Sequence, residues 1–177
     1  MTNAAAAEVK GIELETAWNP MSNLSLTGNL SWLDAKYSSF VNVDTLNPGA
    51  GPQDVAGNRL SNSPEWSANL GAALSTEPGP RGRPTGRVEL SYRSKAFFRE
   101  FNLPVDTQDA YSLVNAALIW EDASETYTVR LYAKNLTDED YVAQGGSSDA
   151  FGTLAITYGA PRQVGLVRGK QRRCAAR

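Results

Sequence analysis

The sequence predicts an all-β fold, an antiparallel up-and-down meander of about seven strands. Three observations predict it. Apolar residues recur with period two in seven segments, no segment has a convincing helical period, and the links alternate between short and long. In residues 8–18, Ile12, Leu14, Thr16 and Trp18 share one face, with Glu13, Glu15 and Ala17 on the other. Asn19-Pro20-Met21-Ser22 reads as a turn. Residues 24–33 set Leu24, Leu26, Gly28, Leu30 and Trp32 against Ser25, Thr27, Asn29 and Ser31. After Pro64, Trp66, Ala68, Leu70, Ala72 and Leu74 oppose Glu65, Ser67, Asn69, Gly71 and Ser75. A Pro- and Gly-rich turn at 76–86 precedes a fourth segment, 87–95, with Val88, Leu90 and Tyr92 on its apolar face. The fifth, 111–121, carries Val114, Ala116, Leu118 and Trp120, although Leu113 and Ile119 fall on its polar side. A tight turn at Asp122–Glu125 leads to the sixth, where Tyr127, Val129, Leu131 and Ala133 oppose Thr128, Arg130, Tyr132 and Lys134. The seventh starts near Arg162, with Val164 and Leu166 on its apolar face.

The links at 19–23 and 122–125 are tight, whereas those at about 34–63, 96–110 and 135–161 are long and polar or Gly-rich. Tight turns at one end and long loops at the other are the pattern of a membrane-spanning barrel. A soluble sheet with one wet face shows the same alternation. Two features favour the barrel. Charges of both signs sit mid-strand on the polar face, namely Glu13, Glu15, Arg87, Glu89, Arg93, Arg130 and Lys134. Trp18, Trp120 and Tyr127 lie near the tight-turn ends, where an interfacial aromatic girdle would be.

Composition removes most enzymatic alternatives. The chain has 177 residues and no histidine, so it offers no Ser-His-Asp or Cys-His nucleophile and no histidine metal site. Cys174 is the single cysteine, which excludes an internal disulfide or a zinc ribbon. No cofactor site is evident. No apolar run approaches the length of a spanning helix. The first residues, MTNAAAAEVKG, have neither the basic nor the apolar region of a signal peptide. The net charge of −2 hides an asymmetry: residues 1–161 carry −8, and the last 16 residues, with six basic and no acidic groups, carry +6.

Four stretches together resemble the C-terminal barrel segment of TonB-dependent outer-membrane receptors. They are AEVKGIELETAWNPMSNLSLTGNLSWLDAKY (7–37), GNRLSNSPEWSANLGAAL (57–74), YSLVNAALIW with YTVRLYAKNLTDEDY (111–141), and YGAPRQVGL (158–166). The resemblance implies an open fragment, the last seven strands, of a 22-stranded plugged barrel. It implies energised uptake of a ligand such as a ferric siderophore, siderophore import being the commonest role in that family. The implied location is the outer membrane of a Gram-negative bacterium. The implied partners are outer-membrane lipid, the plug and remaining strands of the receptor, and a TonB-type energy-coupling protein acting through the missing N-terminal part. A soluble β-sheet binding module and a non-functional truncated receptor are the competing readings.

The sequence departs from that family at its end. Residues 1–167 read as barrel and 168–177 as a basic, disordered tail, with backbone pairing expected to fade at about Val167–Gly169. Arg168 and Lys170 fall on outward positions, no terminal aromatic follows, and the tail reads as a frameshifted or chimeric end. It has no interleaved aromatics for stacking on bases, so nucleic acid is not an expected partner. Asp138-Glu139-Asp140 has oxygens for calcium but lacks the spacing of a calcium loop. Three Asn-X-Ser/Thr sequons, at Asn23, Asn29 and Asn135, read as strand and turn residues. GPRGRPTG (79–86) lacks the ending of a phosphate loop, and Glu13 with Glu15 reads as a wet wall instead of a hydrolytic pair. Ligand contact is expected from the long loops. The candidates are Tyr37, Phe40 and Arg59 in the first, Phe97, Phe98 and Arg99 in the second, and Tyr141 and Phe151 in the third. Interfacial anchoring is the alternative role of those aromatics.

Overall fold

The computed structural model describes residues 6–148 and 153–170. Its strands are β1 (Ala6–Met21), β2 (Leu24–Ser39), β3 (Val41–Val43), β4 (Pro52–Asp54), β5 (Trp66–Ser75), β6 (Arg83–Arg93), β7 (Ala96–Phe97), β8 (Thr107–Gln108), β9 (Tyr111–Glu121), β10 (Tyr127–Lys134), β11 (Val142–Ser148), β12 (Thr153–Tyr158) and β13 (Gln163–Lys170). Seven of them form one antiparallel sheet in the order β1-β2-β5-β6-β9-β10-β13. The sheet is open, with β1 and β13 as its two edges, as the sequence predicts. The long links hold three separate two-stranded ladders, β3–β4, β7–β8 and β11–β12.

Directly opposed residues in a ladder point to the same face, so the register assigns the faces. One apolar row runs Trp18, Leu26, Ala72, Val88, Ala116, Ala133, Val164. The next runs Leu24, Leu74, Gly86, Leu118, Leu131, Leu166. The opposite face carries Glu15, Asn29, Asn69 and Ser91 in one row and Glu13, Ser31, Ser67 and Arg93 in another. Among the described residues nothing covers the apolar face: Leu14, Leu70, Leu118 and Leu166 are each more than half exposed. The buried apolar residues Ala35, Phe40, Val55, Phe98 and Phe101 all lie at the long-loop end. Among the described residues no second sheet packs on this one, so there is no sandwich core there.

Four boundaries differ from the sequence reading. β1 runs through Asn19 and Pro20 to Met21, with a register shift between Trp18 and Met21. A proline is tolerated there because β1 is an edge strand and the register shift leaves Pro20 without a ladder partner that would need a donor. β6 begins at Arg83, inside the expected turn. Pro84 accepts the Thr76 N–H, at 3.0 Å, just past the last paired residue of β5. The N–H that proline lacks would point the same way, toward Thr76 just beyond the end of β5, so only one bond at the end of that ladder is forgone. β1 and β2 each run 16 residues, far beyond the expected spans.

The expected fading near Val167–Gly169 is also corrected. β13 pairs with β10 to Tyr127↔Lys170. Arg168 and Lys170 do occupy the apolar face, and both cations lie over the Tyr127 ring, 5.3 and 5.7 Å from its centroid. A cation over an aromatic face at a strand end keeps its charge near water while its stem stays on apolar surface. Residues 171–177, Cys174 among them, lie outside the described residues.

Candidate functional site

The long links gather at one end of the sheet. The last β2–β5 pair is Trp32↔Trp66, yet β2 continues to Ser39. Its free edge is taken by the link itself, through Leu33 N–H to Glu65 O at 2.8 Å, Tyr37 N–H to Asn58 O at 2.9 Å and Leu60 N–H to Ala35 O at 3.0 Å. Folding back in this way sets Phe40 and Val55 against Phe101 of the next link, with Tyr37 packed on the cluster. The Tyr37 and Phe40 rings stand 5.2 Å apart.

A polar layer joins the same two links. The Asn102 amide imitates a strand residue: its Oδ1 accepts the Arg59 N–H at 2.8 Å and its Nδ2 donates to Arg59 O at 3.1 Å. Asn58 Nδ2 donates to Glu100 O at 2.9 Å, and Asn42 Nδ2 to Glu100 Oε1 at 2.7 Å. Beneath them, buried Arg99 donates from Nη1 to Asp44 Oδ1 at 2.5 Å and from Nε to Asp106 Oδ1 at 2.6 Å. Burial pushes the Asp44 carboxyl up, but Arg99 and the Leu46 N–H outweigh it and hold the group below its ordinary value. Burial likewise lowers Arg99, and its two carboxylates raise it further than burial lowers it. Arg99 Nη2 and Asp106 Oδ2 are buried without a protein partner.

The third link is held by a different device. Asn135 sits at φ 47, a left-handed conformation that asparagine tolerates. Its buried amide donates to Glu139 O at 2.9 Å and Ala160 O at 3.1 Å and accepts the Glu139 N–H at 2.9 Å. Asp138 accepts the Arg162 N–H at 2.8 Å and pairs with the Arg162 side chain at 3.4 Å. The Asn-Leu-Thr sequon and the acidic run therefore close a turn onto the approach to β13. Tyr141 stacks on Tyr111 with centroids 4.7 Å apart. The Val142 N–H donates to Gln108 Oε1 at 2.6 Å, tying β11 to β8.

Gly145 lets this hairpin rest on the second link, because a Cβ there would stand 2.6 Å from Phe98 ring carbons. Phe98 is buried, so its ring cannot swing into solvent without losing that packing. Gly145→Ala is expected to weaken this docking by about 1–3 kcal/mol, read as faster proteolysis of the 142–158 hairpin with the seven-stranded sheet intact.

The structure thus divides the expected contact residues. Phe40, Phe98 and Arg99 are buried and hold the loops together. Tyr37, Arg59, Phe97 and Tyr141 are half-buried, Arg59 paired with Glu65 and Phe97 beneath the Lys95 ammonium at 5.3 Å. Phe151 lies outside the described residues. Asp106, Asn102 and Asn135 were not among the candidates. Their signal in the sequence is weak: Asn102 and Asp106 each stand two residues from Pro104, and Asn135 directly follows a strand, which also marks any ordinary turn.

A family model described as TonB dependent receptor-like, beta-barrel matches residues 1–136. The ferric yersiniabactin uptake receptor FyuA from Yersinia pestis is similar over 94% of this chain and 24% of its own, at 21% identity and TM-score 0.76. The siderophore receptor PiuA from Acinetobacter baumannii is similar over 92% of this chain and 21% of its own, at 16% identity and TM-score 0.72. For BauA, the ferric preacinetobactin receptor of Acinetobacter baumannii, the coverages are 92% and 22%, with 21% identity and TM-score 0.68. The chain spans about a quarter or less of the length of these solved structures.

Proposed function

Because this chain belongs to the TonB-dependent receptor β-barrel family, a family of receptors and transporters and not of enzymes, we propose that it forms seven neighbouring wall strands of an outer-membrane siderophore receptor. The observation that carries this reading is the uncovered apolar face, backed by a polar face with charges of both signs. Contiguous exposed apolar surface of this extent needs a partner, and bilayer hydrocarbon suits rows of Leu, Val and Ala flanked by Trp and Tyr. The polar face lines the lumen against a plug. Loop aromatics that keep exposed surface, Tyr37, Phe97 and Tyr141, together with Arg59, contact a ferric siderophore at the rim. The buried set beneath fixes their positions, and a TonB-type protein supplies energy through the rest of the receptor.

A receptor carrying this segment, expressed in a strain without its own siderophore receptors, is expected to take up labelled ferric siderophore with TonB and not without it. Uptake that does not need TonB, or absence of the receptor from outer-membrane fractions, would count against the reading. The lipid-facing assignment has its own check. Leu70→Arg on the apolar face should cost about 2 kcal/mol of barrel stability, whereas Asn69→Arg, one residue along on the polar face, should cost little. Equal tolerance of both in an unfolding titration of the membrane-inserted receptor would show that the apolar face does not meet lipid.

A further inference from the structure

We propose that the apolar face at the tight-turn end of β10 and β13 binds the headgroup of an anionic phospholipid, with Arg168 and Lys170 holding its phosphate beside Tyr127. The inference rests on the outer-membrane reading above and adds a lipid partner at one place on the wall. Three observations carry it. First, two cations share one ring, at 5.3 and 5.7 Å from the Tyr127 centroid. Neither is within ion-pair distance of a carboxylate among the described residues, where the ion pairs use other cations. Asp122, the turn carboxylate beside Tyr127, is engaged by the N–H groups of Ser124, Thr126 and Tyr127. Two cations gathered at one ring with no carboxylate to offset them make a local positive charge that a phosphodiester anion would stabilise.

Second, the cations cap an apolar ladder. The row Trp120, Val129, Arg168 lies directly beyond Leu118, Leu131, Leu166 on the same face. Leu131 and Leu166 are 47% and 68% exposed, which leaves the length of an acyl chain open below the charges. Third, the level is an interface. Trp120 directs its indole N–H to Arg81 O at 2.8 Å while its ring stays on the apolar face, the posture of an aromatic at a membrane–water boundary. Charge above and hydrocarbon surface below match a phospholipid and not a free anion.

The test uses the whole 177-residue chain and vesicles of phosphatidylcholine, with or without phosphatidylglycerol. Folded insertion is followed by circular dichroism and flotation. The chain is expected to prefer vesicles containing phosphatidylglycerol. Replacing both cations (R168Q/K170Q) should reduce that preference by roughly 25-fold, about fivefold per charge, while R168K/K170R keeps it and R172Q/R173Q/R177Q keeps most of it. A second measurement needs no change at the site. With Trp18, Trp32 and Trp66 replaced by Phe, Trp120 emission should be quenched more by brominated phosphatidylglycerol than by brominated phosphatidylcholine. Insertion without preference, equal quenching, preference surviving in R168Q/K170Q, or its abolition by millimolar inorganic phosphate would each overturn the site. Absence of the chain from both vesicle types would also overturn the site, whereas the outer-membrane reading stands or falls with the whole-receptor uptake experiment, because an open sheet edge is itself disfavoured in hydrocarbon.

Discussion

Arg99→Met should loosen the first two long loops by about 3–5 kcal/mol, because it leaves the Asp44 and Asp106 carboxylates buried without a cation. Much of that cost is the desolvation of two orphaned carboxylates, and comparatively little is lost attraction. The triple variant Asp44→Asn, Arg99→Met, Asp106→Asn should therefore recover most of the loss despite having no ion pair left. Amide exchange reads this locally, since the Phe98 N–H donates to Asp106 O at 2.7 Å and the Val55 N–H to Phe40 O at 2.8 Å. Both amides should exchange at least a hundredfold faster in the single variant, by the conversion of about 1.4 kcal/mol per tenfold. The pH dependence has a definite sign. The folded-state value of Asp44 lies below its ordinary 3.8. Its contribution is thus present above that ordinary value and is lost as pH falls through the lowered one. Loops that open at neutral pH no faster in Arg99→Met than in the unaltered chain would show that the buried charges are not what hold them.

Asn135→Ala should destabilise the third link by about 3 kcal/mol. Three side-chain hydrogen bonds to backbone disappear, leaving buried donors and acceptors unsatisfied. Alanine must also hold φ 47, which costs about 1–2 kcal/mol for a residue with a Cβ. Asn135→Gly separates the two contributions, because it accepts the backbone conformation and loses only the amide bonds. Urea midpoints of the membrane-inserted receptor should rank unaltered chain, then Gly, then Ala. Equal midpoints for Gly and Ala would remove backbone strain from the explanation.

These two residues show where reading the sequence stopped. Arg99 was legible as a loop residue of interest, but as a ligand contact. Nothing local to it says that Asp44, 55 positions away, takes its Nη1. Asn135 was legible as part of a glycosylation-like sequon, and its amide turned inward because Ala160, 25 positions on, offers a carbonyl. Asp44 comes from another link and Ala160 from the far end of the same one, and loop partners carry no period by which they could be found.

The sheet was a different matter. Side chains alternate across a strand every two residues whatever the strand pairs with, so Leu14, Leu70, Leu118 and Leu131 were assigned to one face from their own neighbours alone. Short turns after the first and fifth segments then made sequential antiparallel pairing the simplest connection, and the order β1-β2-β5-β6-β9-β10-β13 follows. What only tertiary structure decided lies at the two ends. β2 could extend to Ser39 because its own link supplied a pairing edge at Asn58 and Leu60. β13 could extend to Lys170 because Tyr127 on the neighbouring strand gave two outward cations a ring to rest on. Phe40, Phe98 and Arg99 left the surface because two loops packed on each other. Alternation is a property of one strand and is written in adjacent residues, whereas burial in loops is a property of pairs distant in sequence and exists only once the chain has brought them together.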